Sequence, residues 1–357
     1  VMGCVVTLGE IMLRLATPRR ARFQQAMPGG MDVTFAGAEA SIAASFSYLG
    51  GTSRFVSALP THAVADACLA DLRGLGVDVS HMVRSDVGRL GVYYLESGAN
   101  QRPGQVIYDR ENSTISRLPP EAYPWESAFQ GADWLVLSGI TPAISRQAAE
   151  VGRRAIAEAR SRGVRVALDM NYRAKLWKWE ASMSARQLAI QVMRQWLPEV
   201  QLFICGIEDL VEILDEDSPK ETVDLNFALI ENIRKSFPGL ESLALSRRGA
   251  GSASQQTYGG TFCDLRLAKI WHAPVEEGRP GFYSITEMVD RLGAGDAFTA
   301  GLLFALSHPE LSEGQTALSF ATAAGCLAHS IEGDFNYSTR EEIERLMNEG
   351  SSGRVQR

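Results

Sequence analysis

Asp290-Arg291-Leu292-Gly293-Ala294-Gly295-Asp296 places an acid on either side of a Gly-Ala-Gly turn, and an apolar run, 298–306, follows at once. Glycines let the backbone turn tightly and leave bare N–H groups at a helix start, where the macrodipole favours an anion. An acid beside a bound phosphate has a clear use, which is to take the proton from a hydroxyl about to receive a phosphoryl group. Read alone, Gly-x-Gly-Asp is equally a plain turn with an acid in the first turn of a helix. It is not the dinucleotide fingerprint, because Phe298 stands where the last glycine belongs, and no Gly-x(4)-Gly-Lys-Ser/Thr occurs in the chain.

The rest of the chain has to deliver something to Asp296. Residues 5–8 read as a buried strand closed by Gly9-Glu10, 11–15 as a second extended piece, and 32–35 as a short strand after a polar loop over 17–31. Gly37 to Ser41 opens a helix in which Ile42, Phe46 and Leu49 recur at helical spacing, ended by Gly50-Gly51. Residues 55–59 read as a strand and 61–75 as a helix. Residues 91–96 and 105–109 alternate with period two across a turn-rich 97–104, which predicts a hairpin with one polar face. After Pro119-Pro120, strands 133–137, 164–168 and 200–204 lead into helices 144–162, 183–196, and 209–214 with 222–236, and strand 242–245 precedes Arg247-Arg248-Gly249-Ala250-Gly251.

Strands that are apolar throughout, each followed by a helix, predict an α/β core whose mostly parallel sheet is covered on both faces. The hairpin and the 11–36 strands do not fit that sheet and predict a second, smaller one. Ligands of open parallel sheets bind beyond the carboxyl ends of the strands. Gly37, Gly139, Asn171, Arg173, 206–209, 246–249 and 290–296 all fall at that one edge.

Composition narrows the classes further. With 357 residues, 45% hydrophobic and 22% charged, the chain has the balance of a globular protein with a large core. The net charge of −7 leaves no basic face for nucleic acid. The five histidines are scattered without zinc spacing, and the five cysteines are far apart and mostly within apolar runs, which fits reduced, buried thiols. No apolar run reaches the roughly 18 residues of a membrane span. The first residues lack the basic and apolar segments of a signal peptide, so a cytoplasmic location is expected.

The 290–296 stretch resembles the second signature of the ribokinase-like (PfkB) family of carbohydrate kinases, and Gly37-Ala38-Glu39-Ala40-Ser41 resembles the first, in matching order and separation. The likeness runs from about residue 4 to about residue 347. Within the family, four local features are similar to the branch that phosphorylates 2-keto-3-deoxygluconate: Gly91-Val92-Tyr93, 106–110, 331–335 and the nine-residue run from Asp169 to Trp177. The resemblance implies a Rossmann-like, ribokinase-like core (1–10, 37–88 and 116–357) with a small β-sheet lid (11–36 and 89–115). It also implies ATP with Mg2+ as donor and a homodimer formed through the lid sheet.

Residue by residue, it implies Asp296 as the base for the 6-hydroxyl, with Gly293, Ala294 and Gly295 as the anion hole for the moving phosphoryl group. Arg110 and Arg173 become the readers of the substrate carboxylate, since a planar guanidinium grips a carboxylate through two parallel hydrogen bonds. Either arginine is equally a surface residue lying over apolar neighbours. Gly37, Tyr93, Tyr108 and Asp334 are expected at the sugar, although Tyr93 and Tyr108 also suit ordinary cross-strand packing. Ser246, Gly249, Gly251 and Asp209 are expected at the nucleotide. Trp134, Trp177 and Trp196 read as core, and no residue stands out as a metal ligand.

Two positions depart from the family pattern. Ser41 stands where an asparagine is usual, after Ala36 in place of a glycine. Cys205-Gly206-Ile207-Glu208-Asp209 replaces Asn-x-x-Glu, which in a gapless register turns the asparagine into Gly206 and the glutamate into Asp209; a shift by one makes them Cys205 and Glu208. A neutral-sugar kinase of fructokinase or ribokinase type, and a weakened kinase-like binder of sugar acid or nucleotide, remain as alternatives.

Overall fold

A computed structural model describes residues 3–214, 225–249 and 251–349. The chain starts in β1 (Cys4–Leu8), leaves the core for β2 (Met12–Ala16) and β3 (Asp32–Ala36), and returns through the Ala38–Tyr48 helix to β4 (Thr52–Val56). A short pair, β5 (Ala58–Leu59) and β6 (Val83–Arg84), brackets the Ala63–Gly74 helix. A second excursion forms the hairpin β7 (Gly91–Glu96) and β8 (Gln105–Asp109). Then β9 (Trp134–Ser138), β10 (Arg165–Asp169), β11 (Leu202–Ile204) and β12 (Ser242–Arg248) alternate with helices. The strands end with β13 (Gln256–Asp264), β14 (Lys269–Ala273), the ribbon β15 (Val275–Glu276) and β16 (Arg279–Pro280), and β17 (Tyr283–Ile285). Helices Ala294–Leu306, Gly314–Ala328 and Arg340–Glu349 close the fold.

The large sheet runs β14-β13-β12-β11-β10-β9-β1-β4, with β17 also on β13. From β4 to β12 every pairing is parallel, and β13 and β14 add an antiparallel edge. Side chains alternate between two cores. Leu135, Leu137, Val166, Leu168 and Phe203 pack with Val151, Ile156, Leu188 and Met193 on one face. Trp134, Val136, Ala167, Leu202 and Ile204 pack with Phe46, Phe304 and Phe320 on the other. The expected α/β core with helices on both faces is therefore present, which is why its strands read as unbroken apolar runs. Among the described residues no helix is long and apolar enough to cross a membrane.

Beside it lies a four-stranded sheet in the order β3-β2-β7-β8. Its inner face carries the row Arg14, Tyr93 and Tyr108, and its outer face the row Val33, Leu15, Tyr94 and Ile107. The expected polar face of the hairpin is mixed: Glu96, Gln105 and Asp109 share it with Val92, Tyr94 and Ile107.

Smaller expectations shift for local reasons. The 55–59 strand breaks at Ser57, where the chain leaves β1 and Ala58 pairs with Val83. The expected 144–162 helix spans Arg146–Ser161, and a separate short helix, Ile140–Ile144, precedes it, because Ser145 is extended and its side chain accepts from the amide of Ala148. The 222–236 helix begins at Phe227, capped by Asn226; its expected first residues lie partly outside the described ones. Trp134, Trp177 and Trp196 are buried, and the cysteines are free, with Cys326 alone half-buried.

Candidate active site

The 290–296 stretch follows β17 and starts the Ala294–Leu306 helix. Gly293 is the N-cap with φ 84°, and a Cβ there would lie 2.3 Å from the carbonyl oxygen of Asp334. Conformation and space both demand glycine. Asp290 stitches the turn: Oδ1 accepts from the Leu292 amide at 3.1 Å and Oδ2 from the Gly333 amide at 3.2 Å. The first amides of the helix lack intrahelical acceptors, as at any helix start. Gly293 and Gly295 line a large cavity, while Ala294 between them is fully buried and lines none.

Two cavities meet there. The larger, about 700 Å³, is lined by Asp169, Asp209, Ser246, Arg248, Gly295 and His329 among others. The smaller, about 70 Å³, lies under the lid between Glu10, Gly37, Tyr93, Arg110 and Asp334. Asp296, Gly293, Asn171, Arg173 and Tyr108 line both. Burial raises the Asp296 carboxyl well above its ordinary range, the charges of Asp169 and Asp334 add to this, and Arg173 opposes it. A carboxylate whose proton affinity is raised is, once ionised, a stronger base toward an alcohol.

The lid side of the small cavity is tightly wired. Tyr93, buried, donates its hydroxyl to Asp334 Oδ1 at 2.8 Å, and Arg14 Nη1 donates to the same oxygen at 2.5 Å. Arg14 Nη2 meets Asp290, so one guanidinium joins both acids. Tyr93 and Tyr108 are also cross-strand neighbours with ring centroids 6.3 Å apart. Packing and cavity lining coexist in them.

Several expected site residues sit elsewhere or are already engaged. Arg110 lines the small cavity, but its Nε donates to Glu10 Oε2 at 2.7 Å and its Nη2 meets the same oxygen, so it is not a free carboxylate reader. Arg173 is exposed and faces both cavities, with Nη1 on the carbonyl of Tyr172 at 3.1 Å. Gly249 lines neither cavity, because its amide pairs with the Thr257 carbonyl at 3.2 Å in the β12–β13 ladder. Gly251 faces a third space, beneath the lid tip beside Asn100 and Ser252. Ser246 does line the large cavity.

Asp209, not Glu208, lines the large cavity, in keeping with the gapless register. Its Oδ2 accepts from the Gly206 amide at 2.9 Å and its Oδ1 pairs with Arg186 at 2.8 Å. Ser41 is buried inside its helix and reaches none of the three spaces. Among the described residues no group of His, Cys, Asp and Glu forms a metal cage.

Sequence reasoning gave no role to Glu10, Arg14, Asp169, Arg186 or His329, although Asp169 opens the nine-residue run singled out above. Glu10 and Asp169 sit at the carboxyl ends of β1 and β10, where the strand-end rule alone pointed. Arg14 is a lone charge on the inward parity of an apolar strand, a signal readable from Met12-Leu13-Arg14-Leu15. Burial pushes the His329 imidazole down to about 4, and its Nδ1 faces the Gly325 carbonyl at 2.8 Å, so it is a neutral wall group.

An acid between two adjoining spaces at the carboxyl edge of the sheet suits the transfer of a group between two substrates. The profile described as pfkB family carbohydrate kinase matches residues 2–237. The chain belongs to that family and is an ATP-dependent carbohydrate kinase. A 2-dehydro-3-deoxygalactonokinase of Haloferax volcanii is 29% identical over 349 residues, covering 98% of each chain. The crystal structure of a 2-dehydro-3-deoxygluconokinase from Thermotoga maritima superposes with a TM-score of 0.85 at 34% identity, covering 97% of this chain and 99% of that one. A 2-dehydro-3-deoxygluconokinase of Bacillus subtilis is 25% identical over 317 residues, 87% of this chain and 86% of its own length.

Proposed function

We propose that this kinase transfers the γ-phosphoryl group of ATP to the 6-hydroxyl of 2-keto-3-deoxygluconate. The observation that carries the reading is the position of Asp296 on the wall shared by a nucleotide-sized space and a small polar chamber. Asp296 takes the hydroxyl proton as that oxygen bonds to the γ-phosphorus and the bond to the β-bridging oxygen breaks. The amides of Gly293, Ala294 and Gly295 receive the charge on the equatorial oxygens, where fixed dipoles act most strongly. Arg173 meets the substrate carboxylate, while Asp334, oriented by Arg14 and Tyr93, and Tyr108 meet the sugar chain.

The acids on the nucleotide side, Asp169 and Asp209, suit Mg2+ held chiefly by ATP phosphates, since this ion keeps waters and needs only one or two carboxylates. When bound, Mg2+ neutralises the phosphate tail. The apolar outer row Val33, Leu15, Tyr94 and Ile107 supports pairing of the lid sheet with a second copy, which light scattering would test.

The names of the Haloferax and Thermotoga relatives support an acceptor of the 2-keto-3-deoxy sugar-acid class. An ADP-release assay with the gluconate and galactonate epimers, fructose and ribose decides it. Preference for a neutral sugar, or nucleotide binding without any turnover, would overturn the proposal.

A further inference from the structure

Glu10 occupies the turn between β1 in the core and β2 in the lid, with its side chain 3% exposed. Its two carboxylate oxygens have different surroundings. Oε2 takes both the Nε and the Nη2 donors of Arg110, whereas Oε1 is buried with no hydrogen-bond partner. Glu10 also lines the small chamber, together with Gly37, Arg110, Asp296 and Asp334. Room for Oε1 exists because residue 91 is glycine: a Cβ there would stand 2.6 Å from that oxygen. A buried carboxylate oxygen without a donor is costly, so its persistence beside a cavity points to a donor that arrives with a ligand.

We infer that Glu10 determines acceptor specificity: its Oε1 accepts a hydrogen bond from a hydroxyl of the sugar-acid chain other than the one phosphorylated. The inference deepens the sugar-acid kinase reading and rests on it. The chamber then divides by charge. Glu10 neutralises Arg110, so this pair presents an acceptor and a donor side by side and reads a hydroxyl next to a carbonyl or second hydroxyl. The carboxylate is left to Arg173, at the mouth shared with the larger cavity. Tyr123 and Arg89 also lie in Glu10's field. For Tyr123, burial and then the Glu10 charge raise its pKa, and its hydroxyl likewise has no partner. It lies outside the chamber lining.

The test is a substrate–enzyme cycle. Wild type, Glu10→Gln and Tyr123→Phe are assayed with 2-keto-3-deoxygluconate and with analogues lacking the hydroxyl at carbon 4 or carbon 5. For one analogue, wild type and Tyr123→Phe should lose about tenfold or more in kcat/KM, and Glu10→Gln should lose less than about threefold for the same deletion, because its amide oxygen is taken by the Arg110 donors and the chamber no longer holds the carboxylate acceptor. The KM for ATP and the melting temperature report whether Glu10→Gln keeps its fold. Equal losses in wild type and Glu10→Gln for every analogue would overturn this inference alone, and if the smaller loss appeared in Tyr123→Phe instead, the partner of that hydroxyl would be Tyr123 and not Glu10. Absence of wild-type turnover with the parent acid would overturn the substrate reading, and this inference with it.

Discussion

Arg14 Nη1 lies 2.5 Å from Asp334 Oδ1, although the two residues are 320 positions apart and belong to the lid and to the loop after the Gly314–Ala328 helix. The guanidinium is 3% exposed and also holds Asp290, so one lid side chain compensates two buried core acids. Removing it as Arg14→Met strands both, at a cost of about 3–5 kcal/mol. Thermal unfolding should show that loss, and Arg14→Met combined with Asp334→Asn should regain part of it while acceptor KM stays high.

Asp296→Asn keeps the shape of the helix start and removes the proposed base. The kcat for the sugar acid should fall by about 10²- to 10⁴-fold, the range of a positioned proton acceptor. Nucleotide affinity, measured by calorimetry, should move little. Unchanged turnover would exclude Asp296 from the chemistry.

The pH profile should carry the neighbours' signature. Burial, Asp169 and Asp334 hold the proton on Asp296, so kcat/KM should rise with pH along an acid limb above the usual carboxylate range. Asp169→Asn should move that limb to lower pH. Asp169 is itself pushed up from 3.8 to about 7 by burial, with Arg173 opposing. A folded-state value raised in this way adds stability that is fully present below 3.8 and is lost as pH rises through about 7. Wild type should therefore lose ground to Asp169→Asn in denaturant melts as pH rises from about 4 to about 7.

Arg173→Gln removes the exposed guanidinium that faces both spaces. The KM for the sugar acid should rise about 10- to 100-fold, the worth of a charged hydrogen-bonding pair. The acid limb should move to higher pH, opposite to Asp169→Asn, because Arg173 opposes the proton on Asp296. A variant that binds the acid as wild type does would return the carboxylate to Arg110.

Gly293→Ala should be more damaging than a surface alanine. The left-handed backbone alone costs about 1–2 kcal/mol for a residue with a side chain. The added Cβ would also press on the Asp334 carbonyl at 2.3 Å. Lower melting temperature and lower kcat are expected together, with the acceptor KM raised through the displaced Asp334.

What could be read from the chain tracks how local each signal is. The strands from β1 to β12 declared themselves as apolar runs because both faces of each are buried, and Gly293 to Asp296 stood out because backbone geometry restricts residue type there. The edge from β13 to β17 gave no such run: Gly259, Gly260 and Gly281 interrupt it. The partnership of Glu10 with Arg110 was invisible, since an ion pair across 100 positions leaves no pattern in either neighbourhood. Gly249 misled for the converse reason: a glycine beside two arginines looks like a phosphate loop, but its amide belongs to a strand ladder.

The 70 Å³ chamber has a kinetic corollary. Ligand sites usually enclose about 300 Å³ or more, so a six-carbon acid has to extend into the adjoining 700 Å³ space or displace the sheet above it. If the sheet moves, the Arg14 pairs with Asp290 and Asp334 open with it, and their reopening becomes part of each catalytic round. The same tightness keeps stray water from standing in for the alcohol, so ATP should drain slowly when no sugar is present.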